Sequence, residues 1–363
     1  MRLILTLALT LALTGCSGSR DRVPATIGSS SARATSTAST APAPALTVDR
    51  TVAKGFEVPW GLALLPDGSV LLAERDSGRI SRVTTDGATT LVGTIGGVQH
   101  RGESGLLGLA ASPDGRTVFA YYTSDADNRV VSAGFDGSRL GRPRAILTGI
   151  PKAGRHDGGR LVLGPDGNLW IGTGDAGGPE NSQDRDSLGG KILRIRPDGS
   201  IPADNPFAGS PVWSFGHRNV QGLAFDSTGQ LWATEFGQNT WDELNRVQRG
   251  GNHGWPQLEG QGGGAEYVDP EIVWRTDEAS PSGLAIVDDV AYVAALRGAR
   301  IWQVPLTAGR AGPPKAWFTG DYGRIRTVLV RPDGKLWIST SNRDGRGNPT
   351  DQDDRLLEVS LQG

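Results

Sequence analysis

The stretch Leu161-Val-Leu-Gly-Pro-Asp-Gly-Asn-Leu-Trp-Ile171 places an apolar segment on each side of a Pro-Asp-Gly turn. Proline presets φ, aspartate caps the turn locally and glycine accepts a positive φ, so this stretch predicts a tight β-hairpin. The same unit, in places degenerate, returns at intervals of roughly 50 residues. The other turns of the series lie at residues 66–68, 113–115, 226–229, 288–289 and 332–334.

Six hairpins without an intervening linker predict an all-β chain folded as a six-bladed β-propeller. A β-sandwich or two small β domains with similar hairpins would be the alternative. We expect a strand near residues 46–52 to pair with residues 355–361 and close the ring. A further copy, Pro197-Asp198-Gly199, is expected to lie in a loop, because the residues that follow it disfavour a strand.

The composition narrows the function classes. The chain contains 53 glycines and 10 tryptophans, which suits short strands and tight turns. Its formal net charge of −2 provides no basic field for holding nucleic acid. The single cysteine, Cys16, excludes an internal disulfide framework.

The N-terminal segment predicts export. An apolar run at residues 3–13 is too short to span a bilayer and precedes Leu-Thr-Gly-Cys16, which resembles the bacterial lipobox. We therefore expect residues 1–16 to form a lipoprotein signal peptide with a lipidated Cys16; an ordinary secretory signal is the alternative. Residues 17–45, rich in Ser, Thr, Ala and Pro, predict a disordered tether, and residues 46–363 the propeller. The protein would be exported and anchored to the bacterial cell envelope, touching the membrane only through the lipid.

Several common catalytic motifs are absent or out of context. Residues 172–177 match G-x-G-x-x-G, but no helical pattern follows to receive a pyrophosphate, which argues against a nicotinamide site. The sequence contains no H-E-x-x-H motif, no Cys/His cluster and no G-x-S-x-G elbow. Zinc- or serine-dependent hydrolysis is therefore disfavoured.

Two glycine-flanked polar runs supply candidate site residues. His156 lies in Arg-His-Asp-Gly-Gly-Arg160, where the glycines would let backbone approach a ligand. Arg218, Asn219 and Gln221 follow His217 in a second run and could bind an oxyanion or a sugar. The alternatives are a surface-loop histidine in the first run and hydrogen bonds between loops in the second.

Two further clusters point to charged ligands. Asp242 and Glu243 belong to a dense group of oxygen donors that suits calcium, although solvated carboxylates would look the same. Arg324 and Arg326 alternate along a strand and so share a face, which suggests a polyanionic ligand. Ordinary salt bridges at the rim are the alternative.

Taken in order, these segments resemble the quinoprotein aldose and glucose dehydrogenases, the glucose/sorbosone dehydrogenase family. The resemblance runs from about residue 50 to residue 361. Its landmarks are Pro59-Trp-Gly-Leu-Ala, Gly102-Glu-Ser-Gly-Leu-Leu-Gly, His156-Asp-Gly-Gly-Arg, Gly190-Lys-Ile-Leu-Arg-Ile, Asp198-Gly-Ser-Ile-Pro-Ala-Asp-Asn-Pro, Gly216-His-Arg-Asn-Val-Gln-Gly, Asp242-Glu-Leu-Asn and Gly251-Asn-His-Gly-Trp-Pro.

The resemblance implies a six-bladed propeller that binds pyrroloquinoline quinone (PQQ). It implies that His156 is the base that takes the proton of the sugar's anomeric hydroxyl while hydride passes to the quinone. The cofactor-binding set that it implies comprises Arg218 and Asn219 at the quinone oxygens, Glu103 and Gln221 along the cofactor, and Arg297, Arg324 and Arg326 at its carboxylates.

The resemblance also implies calcium. The carbonyls of Gly237 and Gln238 match the ligands of a calcium ion at the cofactor, and Glu243 with the carbonyl of His253 matches part of a structural calcium site. The chain departs from the family at Gln238 and Val220, where relatives carry proline, and at Arg297, where they can carry lysine. None of these departures removes a reactive group.

We therefore expect a PQQ- and calcium-dependent dehydrogenase that oxidises aldose sugars to lactones and passes electrons to an unidentified acceptor. One alternative is a calcium-dependent lactone hydrolase on the same fold; the other is a non-catalytic propeller lipoprotein that serves as a binding surface. The arginines expected at the cofactor carboxylates argue against a lactonase, and an intact His156 and Arg218 argue against a purely binding role.

Overall fold

A computed structural model of the chain describes residues 43–362. The predicted signal peptide with Cys16, and residues 17–42 of the predicted tether, lie outside the described residues. Within residues 43–362 the chain forms six antiparallel sheets and one short helix, and the predicted six-bladed β-propeller is confirmed. No helix in this part of the chain is both long and apolar enough to cross a membrane.

Each of the first five blades is a run of consecutive strands, and the sixth combines the two chain ends. The first blade spans residues 59–94, the second 106–150, the third 161–215, the fourth 220–275 and the fifth 281–317. In chain order the elements are β1 (Ala45–Lys54), β2 (Pro59–Leu64), β3 (Val70–Glu74), β4 (Arg79–Val83), β5 (Thr89–Thr94), β6 (Leu106–Ala111), β7 (Thr117–Thr123), β8 (Asn128–Gly134), β9 (Arg144–Ile150), β10 (Leu161–Leu163), β11 (Leu169–Gly172), α1 (Glu180–Gln183), β12 (Lys191–Ile195), β13 (Val212–Phe215), β14 (Val220–Phe225), β15 (Leu231–Glu235), β16 (Trp241–Arg246), β17 (Ile272–Arg275), β18 (Pro281–Val287), β19 (Val290–Ala295), β20 (Arg300–Thr307), β21 (Arg310–Ala311), β22 (Lys315–Trp317), β23 (Ile325–Val330), β24 (Leu336–Thr340) and β25 (Arg355–Gln362).

The predicted turns join the innermost strand of each blade to the next strand outward. In the third blade, Gly167 takes a φ of 74° and its amide donates to the carbonyl of Gly164. Asp166 caps this turn by accepting from the amide of Asn168. The extra Pro-Asp-Gly copy lies between β12 and β13, as a connection inside the third blade, so it does not start a blade.

The ring closes where the two ends of the chain meet. β1 pairs antiparallel with β25, with Leu46 opposite Leu361, and β25 continues to β24 and β23. The predicted closing strand is therefore confirmed. The pairing begins at Ala45, and the carbonyl of Pro44 accepts a hydrogen bond from the side-chain amide of Gln303. Residues 43–45, assigned to the tether from sequence, thus belong to the propeller.

The innermost strands of neighbouring blades approach each other so closely that some positions admit only glycine. A Cβ on Gly61 would lie 2.4 Å from the carbonyl oxygen of Leu107, and one on Gly108 would lie 2.1 Å from that of Gly159. Apolar side chains fill the spaces between blades farther out, among them the fully buried Trp60 and Trp337. This convergence brings polar residues from several blades to one end of the central channel.

Ring closure predicts a stability effect. Leu357 of β25 is 1% exposed and packs in a cluster with Leu46 and Ile338. We expect Leu357→Ala to lower the free energy of unfolding by about 2–5 kcal/mol, because it removes buried methyl groups and leaves a cavity. Thr47→Ala, at an exposed position of β1, serves as the control and should change it by less than about 0.5 kcal/mol. Urea unfolding measures the free energy of unfolding of both variants. Equal losses in the two variants would contradict a stabilising role for the packing of β25 against β1 and β24.

Candidate active site

A polar cavity of about 150 Å³ opens at one end of the central channel. Its walls come from the starts of the innermost strands, from the loops before them and from the loops after the second strand of several blades. They include two aromatic rings, an amide, two carboxylates and three guanidiniums within one small space. The lining residues are Trp60, Arg75, Gly102, Glu103, Gln221, Phe236, Leu296, Arg326, Asp344, Gly345 and Arg346.

His156 lies beside this cavity, and its ring is held by Asp175. The Nδ1 atom of His156 lies 2.7 Å from Oδ1 of Asp175, which also accepts from the amide of Gly177. The other oxygen of Asp175 accepts from the indole N–H of Trp255. Although burial raises the pKa of Asp175, these partners, His156 first, lower it below its usual value. An ionised Asp175 selects the tautomer with the proton on Nδ1, which leaves Nε2 as a proton acceptor.

Glu103 connects His156 to the cavity. Its Oε2 accepts from the backbone amide of His156 at 2.8 Å and from the side chain of Asn219 at 3.5 Å, and its Oε1 pairs with Arg346 at 3.1 Å. Burial disfavours the charge of Glu103, but the His156 amide and the Arg346 guanidinium outweigh it and lower the pKa. The carboxylate therefore fixes His156, which has a φ of 53°, against the rim.

The buried Arg326 lines the cavity, and a second buried arginine, Arg160, lies behind the wall that Trp60 and Gln221 form. Arg160 donates to the carbonyl of Gln221 and to the hydroxyl of Thr327, and its guanidinium lies 4.2 Å from the ring centroid of Trp60. Arg326 donates to the side-chain oxygen of Gln221 at 2.9 Å. Burial and the charge of Arg326 lower the pKa of Arg160 to about 9, and burial lowers that of Arg326 to about 9 as well. Both remain cations at neutral pH, so this side of the cavity is positive.

Asp344 is the counter-charge of the predicted arginine pair. Its Oδ2 lies 2.8 Å from Arg324 and 3.5 Å from Arg326, and its side chain is 2% exposed. Although burial raises the pKa of Asp344, the two guanidiniums lower it below its usual value. Arg324 and Arg326 do share a face, as predicted, but they meet on an internal carboxylate that the sequence analysis missed.

Arg218 lies against the loop predicted to hold calcium. Its Nη1 donates to the carbonyls of Phe236 and Gly237, at 3.2 and 2.6 Å, and its backbone amide donates to Glu235. Its guanidinium lies 5.3 Å from the ring centroid of Trp255. The guanidinium of Arg218 is therefore bonded to the carbonyl oxygen of Gly237, which the sequence predicts to be a metal ligand.

A single carboxylate shapes that same loop. Oε1 of Glu259 accepts from four successive backbone amides, those of residues 238–241, at 2.8 to 3.0 Å. Oδ1 of Asp242 accepts from the amide of Gly237, and burial raises the pKa of Asp242 to about 7. Because the amides of residues 238–241 all donate to Glu259, the carbonyls of the loop can bind other partners. The predicted calcium ligands, the carbonyls of Gly237 and Gln238, require this.

Glu243 and His253 lie in a buried cluster behind this loop. The oxygens of Glu243 accept from the amide of Gly260 and from Asn245, and the ring of His253 stacks on that of His217 at 4.4 Å. Burial, with a lesser contribution from Glu235, raises the pKa of Glu243. Among residues 43–362, no three His, Cys, Asp or Glu side chains are grouped to hold a metal. A cation at Glu243 would therefore need carbonyl ligands, and the structural calcium site stays a prediction.

The predicted catalytic and cofactor-binding residues fall into three groups according to their position relative to the cavity. Glu103, Gln221 and Arg326 line the cavity, and Arg297 is exposed and outside its lining. Hydrogen bonds or ion pairs join the remaining members of the catalytic and cofactor set to the lining, namely His156, Arg218, Asn219 and Arg324.

The residues missed from sequence are Asp175 and Asp344, the partners of predicted residues. Asp175 stands inside the Gly172–Gly177 stretch considered and rejected as a nucleotide motif. The available signal was a polar residue at the end of a buried strand, where sites tend to form. Asp344 offered no local signal, since it stands in an Arg/Asp/Gly/Asn-rich loop.

Comparison with known proteins places the chain in a family. The family model described as "Glucose / Sorbosone dehydrogenase" matches residues 56–350. The PQQ-bound aldose sugar dehydrogenase of Streptomyces coelicolor is 50% identical, with a TM-score of 0.85 over 88% of this chain and 100% of that one. The aldose sugar dehydrogenase YliI of Escherichia coli is 28% identical over 79% of this chain and 88% of its own length. Quinoprotein glucose dehydrogenase B of Acinetobacter calcoaceticus is 32% identical over 58% of this chain and 52% of its own.

The fold and the site together define a propeller oxidoreductase of the sugar dehydrogenase class. The chain belongs to the Glucose / Sorbosone dehydrogenase family. The resemblance read from its sequence is thereby confirmed.

The Asp344 ion pairs predict a pH-dependent stability difference. Asp344→Asn leaves the buried guanidinium of Arg326 and the half-buried one of Arg324 without their counter-charge, so we expect the free energy of unfolding to fall by about 3 kcal/mol at pH 7. The pKa of Asp344 is lower folded than unfolded, so its contribution is complete above its unfolded value near 3.9 and is lost as the pH falls through the folded-state value. The gap between wild type and variant should therefore narrow from pH 7 to pH 3.

Urea titrations of the apoprotein at pH 7, 5 and 3 measure this gap. Asp351→Asn, at an exposed position of the same connection, is the control and should match wild type throughout. A gap that is constant with pH would show that Asp344 acts through packing rather than through its charge.

Proposed function

We propose that the protein is a PQQ- and calcium-dependent dehydrogenase that oxidises aldose sugars to lactones. One observation carries the proposal: Asp175 orients His156 as a base at the edge of a cavity that the buried Arg326 lines and that Arg160 backs. A base beside a cationic cavity is what hydride abstraction from a sugar by an anionic cofactor needs. Membership of an oxidoreductase family leaves the lactone hydrolase and the non-catalytic propeller without support of their own.

The residues present fit a polyanionic cofactor. The Nε atoms of Arg218 and Arg326 are buried and have no hydrogen-bond partner among the described residues. Arg160, behind the wall of the cavity, adds a third buried cation with no carboxylate bonded to it, so the positive charge on this side exceeds what Asp344 neutralises. Unused donors and excess positive charge suit carboxylates and quinone oxygens. Arg326 and Arg324 would hold carboxylates, and Arg218 and Asn219 the quinone oxygens.

The loop at residues 237–241 fits calcium. Calcium prefers oxygen ligands, including backbone carbonyls, and the carbonyl of Gly237 already attracts the cation of Arg218. Glu259 holds the loop by its amides, so loss of the Arg218 contact would leave the carbonyls in place. The carbonyls of Gly237 and Gln238 would be protein ligands, and the bound ion would supply a Lewis acid beside the cofactor.

Each residue of the site has a separate role in the proposed reaction. His156 accepts the proton of the anomeric hydroxyl at Nε2, and the charge of Asp175 stabilises the imidazolium that results. PQQ, when bound, supplies the two-electron acceptor that takes hydride from the anomeric carbon. Arg218 and Asn219 present donors where negative charge develops during that reduction. Glu103 fixes the backbone of His156 against the rim.

The proposal is tested by reconstitution. The full chain is combined with calcium and PQQ, and reduction of an artificial dye is followed with a panel of aldoses. We expect turnover by wild type and a loss of about 10²- to 10⁴-fold in kcat for His156→Ala, with binding of PQQ retained. Failure of PQQ to bind at micromolar concentration would refute the proposal. Hydrolysis of lactones in the absence of PQQ would favour the hydrolase instead.

The orienting carboxylate gives a separate prediction. Asp175→Asn keeps the size of the side chain but presents an amide to Nδ1 of His156, so the ring loses its charged partner and its selected tautomer. We expect kcat to fall at least about tenfold, while the affinity for PQQ, measured by fluorescence quenching, stays unchanged. Equal activity of variant and wild type would show that His156 does not depend on Asp175.

We also propose that the protein is exported and held at the bacterial cell envelope by a lipid on Cys16, reaching the membrane only through that lipid. The support is the lipobox-like Leu-Thr-Gly-Cys16 after a short apolar run. Labelling of the expressed chain with a fatty acid, abolished in Cys16→Ser, is the expected result. Equal labelling of both proteins would exclude the anchor.

A further inference from the structure

A second, larger cavity adjoins His156 on the same face of the propeller. It has a volume of about 950 Å³, and its walls are residues 99–102 and 152–155 together with Ser104 and Thr123. The two wall segments are bound to each other: the amide of Glu103 donates to the carbonyl of Gly154 at 3.1 Å, and the hydroxyl of Ser104 donates to that of Ala153 at 3.2 Å. The cavity is therefore built from connected backbone segments.

The side chains of this cavity carry one sign of charge. Its lining includes Arg101, Lys152 and Arg155 as well as His100, and no Asp or Glu. Neither Arg101 nor Arg155 forms an ion pair with any described residue. The ammonium of Lys152 donates to the backbone carbonyls of Ser124 and Asp125, which leaves its charge without a carboxylate.

Three carboxylates close to the cavity are already engaged by other groups. Asp76 pairs with Arg75 and lies 3.3 Å from His100, and Glu103 pairs with Arg346. Asp157, behind the wall, is buried and bonded to neutral donors, and burial raises its pKa. The cavity therefore has an uncompensated positive charge.

The position of the cavity next to His156 indicates which part of a substrate it would bind. Arg155 is the residue before His156, so their Cα atoms are about 3.8 Å apart across a trans peptide bond. Gly102 lines both this cavity and the smaller one beside His156, so we expect a substituent remote from the anomeric hydroxyl to extend toward the larger cavity. A concave wall with three separated cations suits a small substituent better than the broad surface of a protein partner.

We propose that this cavity is an anion subsite, and that the substrates are aldoses with a phosphate or carboxylate remote from the anomeric carbon. The inference rests on the proposed function and specifies its substrate class. Arg101 and Arg155 recognise the anionic oxygens, since guanidinium groups bind phosphate and carboxylate in a bidentate manner. Lys152 adds a point charge held at the wall by its two carbonyl contacts.

The test compares glucose with glucose 6-phosphate and with glucuronate on the reconstituted full chain, using a neutral dye. We expect kcat/KM to be at least about tenfold higher for one of the two anionic sugars than for glucose, mainly through KM, since the subsite binds a non-reacting group. This preference should fall as the salt concentration rises from 0.02 to about 0.5 M, because exposed charges are screened. The two arms distinguish phosphate from carboxylate.

Matched variants locate the effect. Arg101→Gln with Arg155→Gln should abolish the preference and leave glucose turnover unchanged. Arg116→Gln removes an exposed cation beside the Pro-Asp-Gly turn at the other end of the blades, and it should preserve the preference. The inference would be overturned if wild type showed no preference for an anionic sugar over glucose. It would also be overturned if the double variant kept that preference.

Two further outcomes are informative. If the double variant changes turnover only with an anionic dye such as ferricyanide, and not the choice of sugar, the cations serve the electron acceptor and the inference is wrong. If no aldose is oxidised at all, the proposed function fails. Calorimetric binding of glucose 6-phosphate to the protein without PQQ, in wild type and double variant, then still decides whether the anion subsite exists.

Discussion

The close approach of the innermost strands is the constraint on which the rest of the structure depends. Gly61 and Gly108 let the backbones of neighbouring blades approach where any side chain would collide with a carbonyl. Six strands can then converge on one axis, and the loops before them meet at one end of the channel. Trp60, Gln221 and Arg326 come from three different blades and become neighbours there. The site therefore depends on the ring geometry, which brings residues of different blades together, more than on any single sequence motif.

Charge burial at that end of the channel is tolerated only because the polar groups support each other. Arg160 and Arg326 would be costly alone, and both are bonded to Gln221. Asp344 compensates part of the remaining charge. The same low-dielectric surroundings strengthen the bond between Asp175 and His156. Such a preformed excess of positive charge would attract an anionic cofactor.

Sequence reasoning reached the parts of the site that have local signatures. His156, Arg218 and Asn219 stand in glycine-flanked polar runs within the family's landmarks, and the structure brings all three to the cavity region. Asp175 was seen only as part of a rejected nucleotide motif. Arg297 was expected at the cofactor from its place in the family pattern, yet it is exposed beside the cavity wall. A charge at a strand end says little about the direction in which its side chain points.

By itself the sequence determined the repeated hairpin, the number of blades and the closing strand, because turn chemistry and apolar alternation act between residues that are near in the chain. Only the tertiary structure decided that Asp344 is the counter-charge of Arg326, and that Asp175 orients His156. It also decided that Arg101 and Arg155 share one cavity without a carboxylate. Such pairings join loops of different blades or strands, and their geometry is set by how blades pack around the axis. No local pattern in the chain encodes that packing.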